Sequence, residues 1–162
     1  MGNDGPCLSD YINSGFVLIR CKGEHPEYNP IKDYKVAKHA IDRGFTTHGF
    51  TGMVEKEAEE WLLRGGWIGG LVPQGMIFID SEIPHCLGVI EHICQAKRLS
   101  LPVMVTRRGK QYPFKVRHTL SGASKVFTRS GIEVTYRASG KNYVILPPAP
   151  GRHWENWQHQ ML

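Results

Sequence analysis

The sequence predicts an α+β fold, a single domain whose mixed, largely antiparallel central sheet is flanked by helices. Three observations predict it. The helix signals concentrate in the first hundred residues, and the texture beyond about residue 100 changes to short apolar runs separated by Gly, Ser and Pro. The chain has 162 residues, 41% of them hydrophobic, enough for one real core and too few for two.

The elements follow in order. Residues 6–14 suit a short helix, and Phe16-Val-Leu-Ile-Arg-Cys21 is a compact apolar run that reads as a buried strand. Gly23, Pro26, Asn29 and Pro30 mark 22–32 as a loop. A helix is predicted from Asp33 to Arg43, stopped by Gly44. Another is predicted from a Thr51 N-cap to the Gly65-Gly66 stop, with acidic early turns that suit the helix dipole. The apolar pieces Trp67–Val72 and Met76–Ile79, separated by Pro73-Gln74-Gly75, read as a β-hairpin ending in Asp80. Pro84 opens a helix over about 85–98. Strands are then predicted at Leu101–Thr106, Tyr112–Arg117, Ile132–Tyr136 and Tyr143–Leu146, the last ended by Pro147-Pro148-Ala149-Pro150.

Charge is unevenly distributed along the chain. Residues 1–100 carry 10 Lys/Arg against 13 Asp/Glu, whereas residues 101–162 carry 10 against 2. A basic part joined to an acidic part suits a protein that holds metal ions on carboxylates and phosphates on Lys and Arg, although a lopsided solvated surface looks the same. Cys7, Cys21, Cys86 and Cys94 show no Cys-x-x-Cys pairing and read as reduced thiols. No apolar run approaches a membrane span of about 20 residues, so the expected location is cytoplasmic and no membrane partner is expected.

The segment richest in chemistry is Gly75-Met-Ile-Phe-Ile-Asp80-Ser-Glu82. Side chains at i and i+2 of an extended chain share a face, about 7 Å apart, so Asp80 and Glu82 can converge on one site. Two close carboxylates repel unless a cation sits between them, and Mg²⁺ or Mn²⁺ prefers such oxygen ligands. The same pair also occurs in solvated turns at strand ends. Thr106-Arg107-Arg108-Gly109-Lys110-Gln111 is a cationic turn suited to a triphosphate, or a basic hairpin tip in solvent. Glu133 stands alone among acids between Glu91 and Glu155, and reads either as salt-bridged or as a third metal ligand.

The order of these segments resembles the bifunctional primase-polymerase domain of the archaeo-eukaryotic primase superfamily, found in replication proteins of plasmids, phages and prophages. The resemblance rests on Gly65-Gly66-Trp67-Ile68-Gly69-Gly70-Leu71 leading to Asp80-Ser-Glu82. It continues through the turn at 106–111 with Phe114, then Gly131-Ile-Glu133 and Gly140-Lys-Asn-Tyr143-Val-Ile-Leu-Pro147-Pro148. It spans about residues 10–155 and implies an archaeo-eukaryotic-primase-like domain over 1–162, excised from a longer protein with a C-terminal helicase.

It further implies DNA primase and DNA polymerase activity, a site for two Mg²⁺ or Mn²⁺ ions on Asp80, Glu82 and Glu133, and triphosphate binding by Arg107, Arg108, Gly109, Lys110 and Gln111. The implied partners are single-stranded or primed DNA template, nucleoside triphosphates and the fused helicase. Two departures stand out. Arg108 and Gln111 occupy positions where the family has Ser and His, and Glu133-Val-Thr135 stands where it has Asp-x-Arg. Gln111 can donate to phosphate without bearing charge, and His118, seven residues on, is a candidate substitute.

Other readings stay open. His85, Cys86, His92 and Cys94 invite zinc, but their spacing is unlike that of zinc sites, so zinc is not expected. His153-Trp154-Glu155-Asn156-Trp157 reads as a stacking surface for bases or, better, as a Trp anchor for the terminal segment. A primase-like DNA-binding module with weak or absent catalysis, and a metal nuclease built on the same carboxylates, are the competing functions.

Overall fold

In the computed structural model, which describes residues 5–118, 122–127 and 131–157, thirteen short elements follow one another. Their order is α1 (Leu8–Asn13), β1 (Val17–Cys21), α2 (Tyr34–Ala37), α3 (Glu55–Leu63), β2 (Trp67–Leu71), β3 (Met76–Ser81), α4 (Pro84–Ala96), β4 (Val103–Val105), β5 (Lys110–Lys115), β6 (Ala123–Phe127), β7 (Glu133–Ala138), β8 (Tyr143–Leu146) and β9 (His153–Glu155). Among the described residues the strands form a three-stranded sheet, β1-β2-β8, and a six-stranded sheet, β6-β7-β3-β5-β4-β9. Every pairing is antiparallel. The fold is α+β, as the sequence predicts, and no helix among the described residues is long and apolar enough to cross a membrane.

The predicted hairpin at Trp67–Ile79 does not form, because β2 and β3 belong to different sheets. The reason lies in β2. Side chains pack over Gly69 and Gly70 from both faces: a Cβ on Gly69 would lie 2.9 Å from Ile19 and Tyr143, and one on Gly70 2.6 Å from Phe16. That strand therefore nests between β1 and β8, while β3 takes β5 and β7 as neighbours. Pro73-Gln74-Gly75 carries the chain from one sheet to the other.

Two predicted helices shorten for a common reason: β1 recruits their ends. Asp33 caps α2 by accepting from the amides of Lys35 (2.8 Å) and Val36 (3.0 Å). Beyond Ala37, Lys22 N donates to His39 O, Ile41 N donates to Arg20 O, and the Asp42 carboxylate takes both the amide and the guanidinium of Arg20. Residues 39–42 thus run extended instead of continuing to Arg43. Similarly, Met53 N donates to Leu18 O, so Thr51 lies in an extended piece and α3 starts at Glu55. Strands β6 and β9 had no counterpart in the sequence reading.

The main core lies between one face of the three-stranded sheet, helices α1 and α3, and the inner face of the six-stranded sheet. Leu18, Ile68 and Leu146 there meet Tyr11, Trp61, Phe78 and Met104. Burial of each such side chain contributes roughly 1.5–3 kcal/mol. Trp61 does more than fill space, since its indole N–H donates to Cys21 O and Trp67 O, both at 3.0 Å. A second cluster, Ile19, Cys21, Ala37, Trp67 and Ile145, covers the other face of the small sheet. The terminal segment is anchored as the Trp reading expected: Trp154 Nε1 donates to Tyr11 Oη at 2.8 Å.

Candidate functional site

Alternation along β3 decides where its acids point. Phe78 is fully buried in the main core, so Asp80, two residues on, lies on the same inner face, and Glu82, one residue past the strand end, borders the same cleft. Cross-strand register then sets their neighbours. Asp80 is opposite Gln111 on β5 and Thr135 on β7, and Phe78 is opposite Arg137. Asp80, Glu82, Gln111 and Arg137 line a cleft of about 310 Å³ whose far wall is built from Tyr34, Lys38 and His39 around α2, from β8, and from Arg152. The two sheets diverge at this point, and the cleft is the gap between them.

Asp80 is the pivot of the cleft. Its Oδ2 accepts from Gln111 Nε2 at 3.3 Å and lies 3.9 Å from Arg137 Nε. Its Oδ1 is buried and has no hydrogen-bond partner among the described residues. Burial raises the carboxyl above its usual range, the Arg137 charge and the Gln111 bond pull it back, and Glu82 adds to the rise. Glu82 is far more open, with a long contact of 3.9 Å to Arg108 Nη1.

The turn before β5 is shaped by Thr106, whose amide donates to Gly109 O at 2.9 Å and whose hydroxyl accepts from Gly109 N at 3.1 Å. Gly109 then abuts the acidic strand end, where any Cβ would collide with the Ser81 carbonyl oxygen. The turn's cations diverge. Arg108 faces the cleft mouth. The Arg107 guanidinium sits 4.2 Å over the Tyr34 ring, and its stem crosses Gly151, which is held at φ 75°.

Lys110 borders the cleft, but β5 alternation sends its ammonium to the opposite face of the sheet. There it meets Glu91 at 2.9 Å and Glu155 at 3.7 Å. Gln111 is buried and faces Asp80 directly.

Glu133 begins β7 on the same face as Thr135 and borders a neighbouring hollow of about 320 Å³ together with Asp80, Glu82 and Arg137. Its carbonyl accepts from Ser81 Oγ at 3.1 Å, which fastens β7 to the acidic strand end. His118 lies beyond Lys115, the residue opposite Met76, and so sits past the far end of β5 from Gln111. The proposed substitution of His118 for the missing histidine is thereby corrected. His85 and His92 are exposed on α4 while Cys86 is buried and accepts from Glu133 N at 3.4 Å, so these groups do not point to one place.

Among the described residues no three His, Cys, Asp or Glu side chains converge into a ready-made metal cage. The donor chemistry nevertheless fits a hard divalent ion. Asp80 offers an oxygen with no protein partner, and Glu82 and Glu133 supply carboxylates along the same rim.

Sequence reasoning missed Lys38, Arg137 and Arg152, all of which line the cleft. Arg137 had a signal, since it shares strand parity with Glu133. Lys38 and Arg152 had none, because their placement depends on how the two sheets face each other. A scan against models of protein families finds none that matches the chain, and a search of curated proteins finds no match.

Proposed function

We propose that the chain is a metal-dependent nucleotidyltransferase with DNA primase and DNA polymerase activity, acting in the replication of a mobile element or prophage. One observation carries the reading: half-buried Asp80, whose Oδ1 is buried without a hydrogen-bond partner among the described residues, opens on a cleft whose lining includes Lys38, Arg107, Arg108, Arg137, Lys141 and Arg152. An acidic centre inside a cationic cleft is the arrangement that template-directed phosphoryl transfer requires, with charge stabilised at the reacting phosphate and along the tail of the nucleotide.

Mg²⁺ or Mn²⁺, held by Asp80 and Glu82 with Glu133 at the rim, would stabilise charge on the phosphoryl oxygens when bound. The chain's own groups do the rest. Gln111 fixes the Asp80 carboxylate by donating to Oδ2, which leaves Oδ1 for a ligand. Arg137 tempers the negative charge of the acidic centre without closing a tight ion pair. Arg108 at the mouth offers a bidentate donor to an incoming phosphate. The basic last third of the chain suits the template backbone.

The test is primer extension with primed DNA template and Mn²⁺ or Mg²⁺, run with ribo- and deoxyribonucleoside triphosphates in parallel. Wild type is expected to extend the primer and Asp80→Asn to lose at least about 100-fold of that rate. No incorporation by wild type with either metal would remove the proposal. A second reading is motivated by the neutral Gln111 and the lack of a ready-made cage among the described residues. It is a primase-like DNA-binding module with weak or no catalysis, expected to show salt-sensitive DNA binding that survives Asp80→Ala.

A further inference from the structure

Two cations on the far wall of the cleft come from outside the turn that the sequence singled out. Lys38 follows α2, and Arg152 follows the proline-rich stretch after β8. Among the described residues neither lies within ion-pair distance of a carboxylate, although both are half-buried. Arg152 donates from Nη1 to Ile145 O at 3.2 Å and to Gln111 Oε1 at 3.4 Å, and its Nε is buried with no partner. A guanidinium without a counter-charge is expensive to bury unless something anionic completes it.

Lys38 tells the same story from a second element. Its ammonium lies 4.5 Å over the Tyr34 ring. Burial pushes it below its ordinary value, and the Arg152 and Arg108 cations push the same way, against Tyr34 and Glu82. Three like charges from three separate segments thus face one small volume. That is an unfavourable arrangement for the empty protein and a favourable one for a multiply charged anion.

The position of this wall relative to Asp80 is also fixed. Gln111 spans the two, its amide nitrogen donating to Asp80 and its amide oxygen accepting from Arg152. The acidic centre and the cationic wall are therefore one side chain apart. A cleft of about 310 Å³ holds a phosphate tail, at the small end of the roughly 300–1,000 Å³ of ligand sites.

We infer that Arg152 and Lys38 form a subsite for the terminal phosphates of a nucleoside triphosphate, and that this pair makes the cleft select triphosphates over monophosphates. The inference rests on the nucleotidyltransferase reading and assigns the terminal phosphates to two of the cleft cations for which that reading named no separate role. Lys110, whose charge is already taken by Glu91 and Glu155 on the other face of the sheet, contributes nothing to it.

The test is calorimetric titration of the protein in EDTA, so that neither metal nor turnover enters, with inorganic tripolyphosphate, dATP and dAMP at fixed ionic strength. Wild type is expected to bind tripolyphosphate and dATP in preference to dAMP. Arg152→Gln and Lys38→Gln are each expected to weaken tripolyphosphate and dATP by about tenfold or more while changing dAMP little, and Arg152→Lys to retain part of the preference.

Because Arg152 also holds Ile145 O, each variant's melting temperature is compared with wild type. Should Arg152→Gln fail to fold, Lys38→Gln carries the test alone. Triphosphate binding left intact in the folded variants overturns the inference and spares the parent reading. Wild type that binds no polyphosphate overturns the inference, and extension activity then decides the parent reading separately.

Discussion

Gly109→Ala probes the contact between the phosphate turn and the acidic strand end. Gly109 has no left-handed backbone angle, so alanine meets no φ penalty and the cost is purely steric. Its Cβ would lie 2.9 Å from both Glu82 Cα and Ser81 C and closer still to Ser81 O, where ordinary Cβ contacts begin at 3.4 Å. All three obstacles are backbone atoms of β3 and its end, so no side chain can swing away.

Overpacking of this kind costs about 1–3 kcal/mol, and the reduced freedom of the unfolded chain returns about 0.4–1 kcal/mol. The net is about 1–2 kcal/mol, which for a chain of this size lowers the melting temperature by about 2–8 °C. The turn must also withdraw from Asp80 and Glu82, and a misplacement on the order of 1 Å at a reacting centre costs about 100-fold in rate. Thermal melting followed by circular dichroism and primer extension measure the two effects. A variant as stable as wild type, with unchanged extension, refutes the close approach and the role given to the turn.

Trp61→Phe keeps one aromatic ring but removes the donor shared by Cys21 O and Trp67 O and leaves a small void, so a loss of about 2–3 kcal/mol is expected in urea unfolding, and a loss below about 0.5 kcal/mol contradicts the bond. Glu91 is held below its ordinary pKa first by Lys110 and also by Tyr112. A depressed acid stabilises the fold above its unfolded pKa and loses that contribution as pH falls through the folded one. Glu91→Gln is therefore expected to cost up to about 0.5 kcal/mol near neutrality, discounted for exposure, and nothing below the carboxylate range of about 4. Equal losses at both pH values in urea unfolding exclude the ion pair as the cause.

The legible part of this fold was whatever depends on local pattern. The run Met76–Ile79 ahead of Asp80 announced a buried strand, and Asp80-Ser-Glu82 announced two acids on one face; both follow from period-two alternation. The sequence did not reveal which strand pairs with which. Trp67–Leu71 and Met76–Ser81 looked like hairpin partners because the turn between them is short, yet Gly69 and Gly70 fit only between β1 and β8. The same blindness hid half of the cleft. Gln111 was found through its turn, whereas Lys38 and Arg152 stand 114 positions apart and meet only because the sheets face each other. Nor did the charge of Lys110 reveal that its ammonium meets Glu91 on the other face of the sheet, which strand parity sets.

The seam between the sheets has a mechanical consequence. Phe16 and Phe78, with ring centres 6.1 Å apart, touch across it, and among the described residues no strand of one sheet pairs with a strand of the other. Ladders resist shear because every rung must break together, whereas apolar faces slide with little change in buried area. Arg152, which donates to Ile145 O of one sheet and to Gln111 Oε1 of the other, is thus the polar tie that sets the spacing of the two sheets at the cleft.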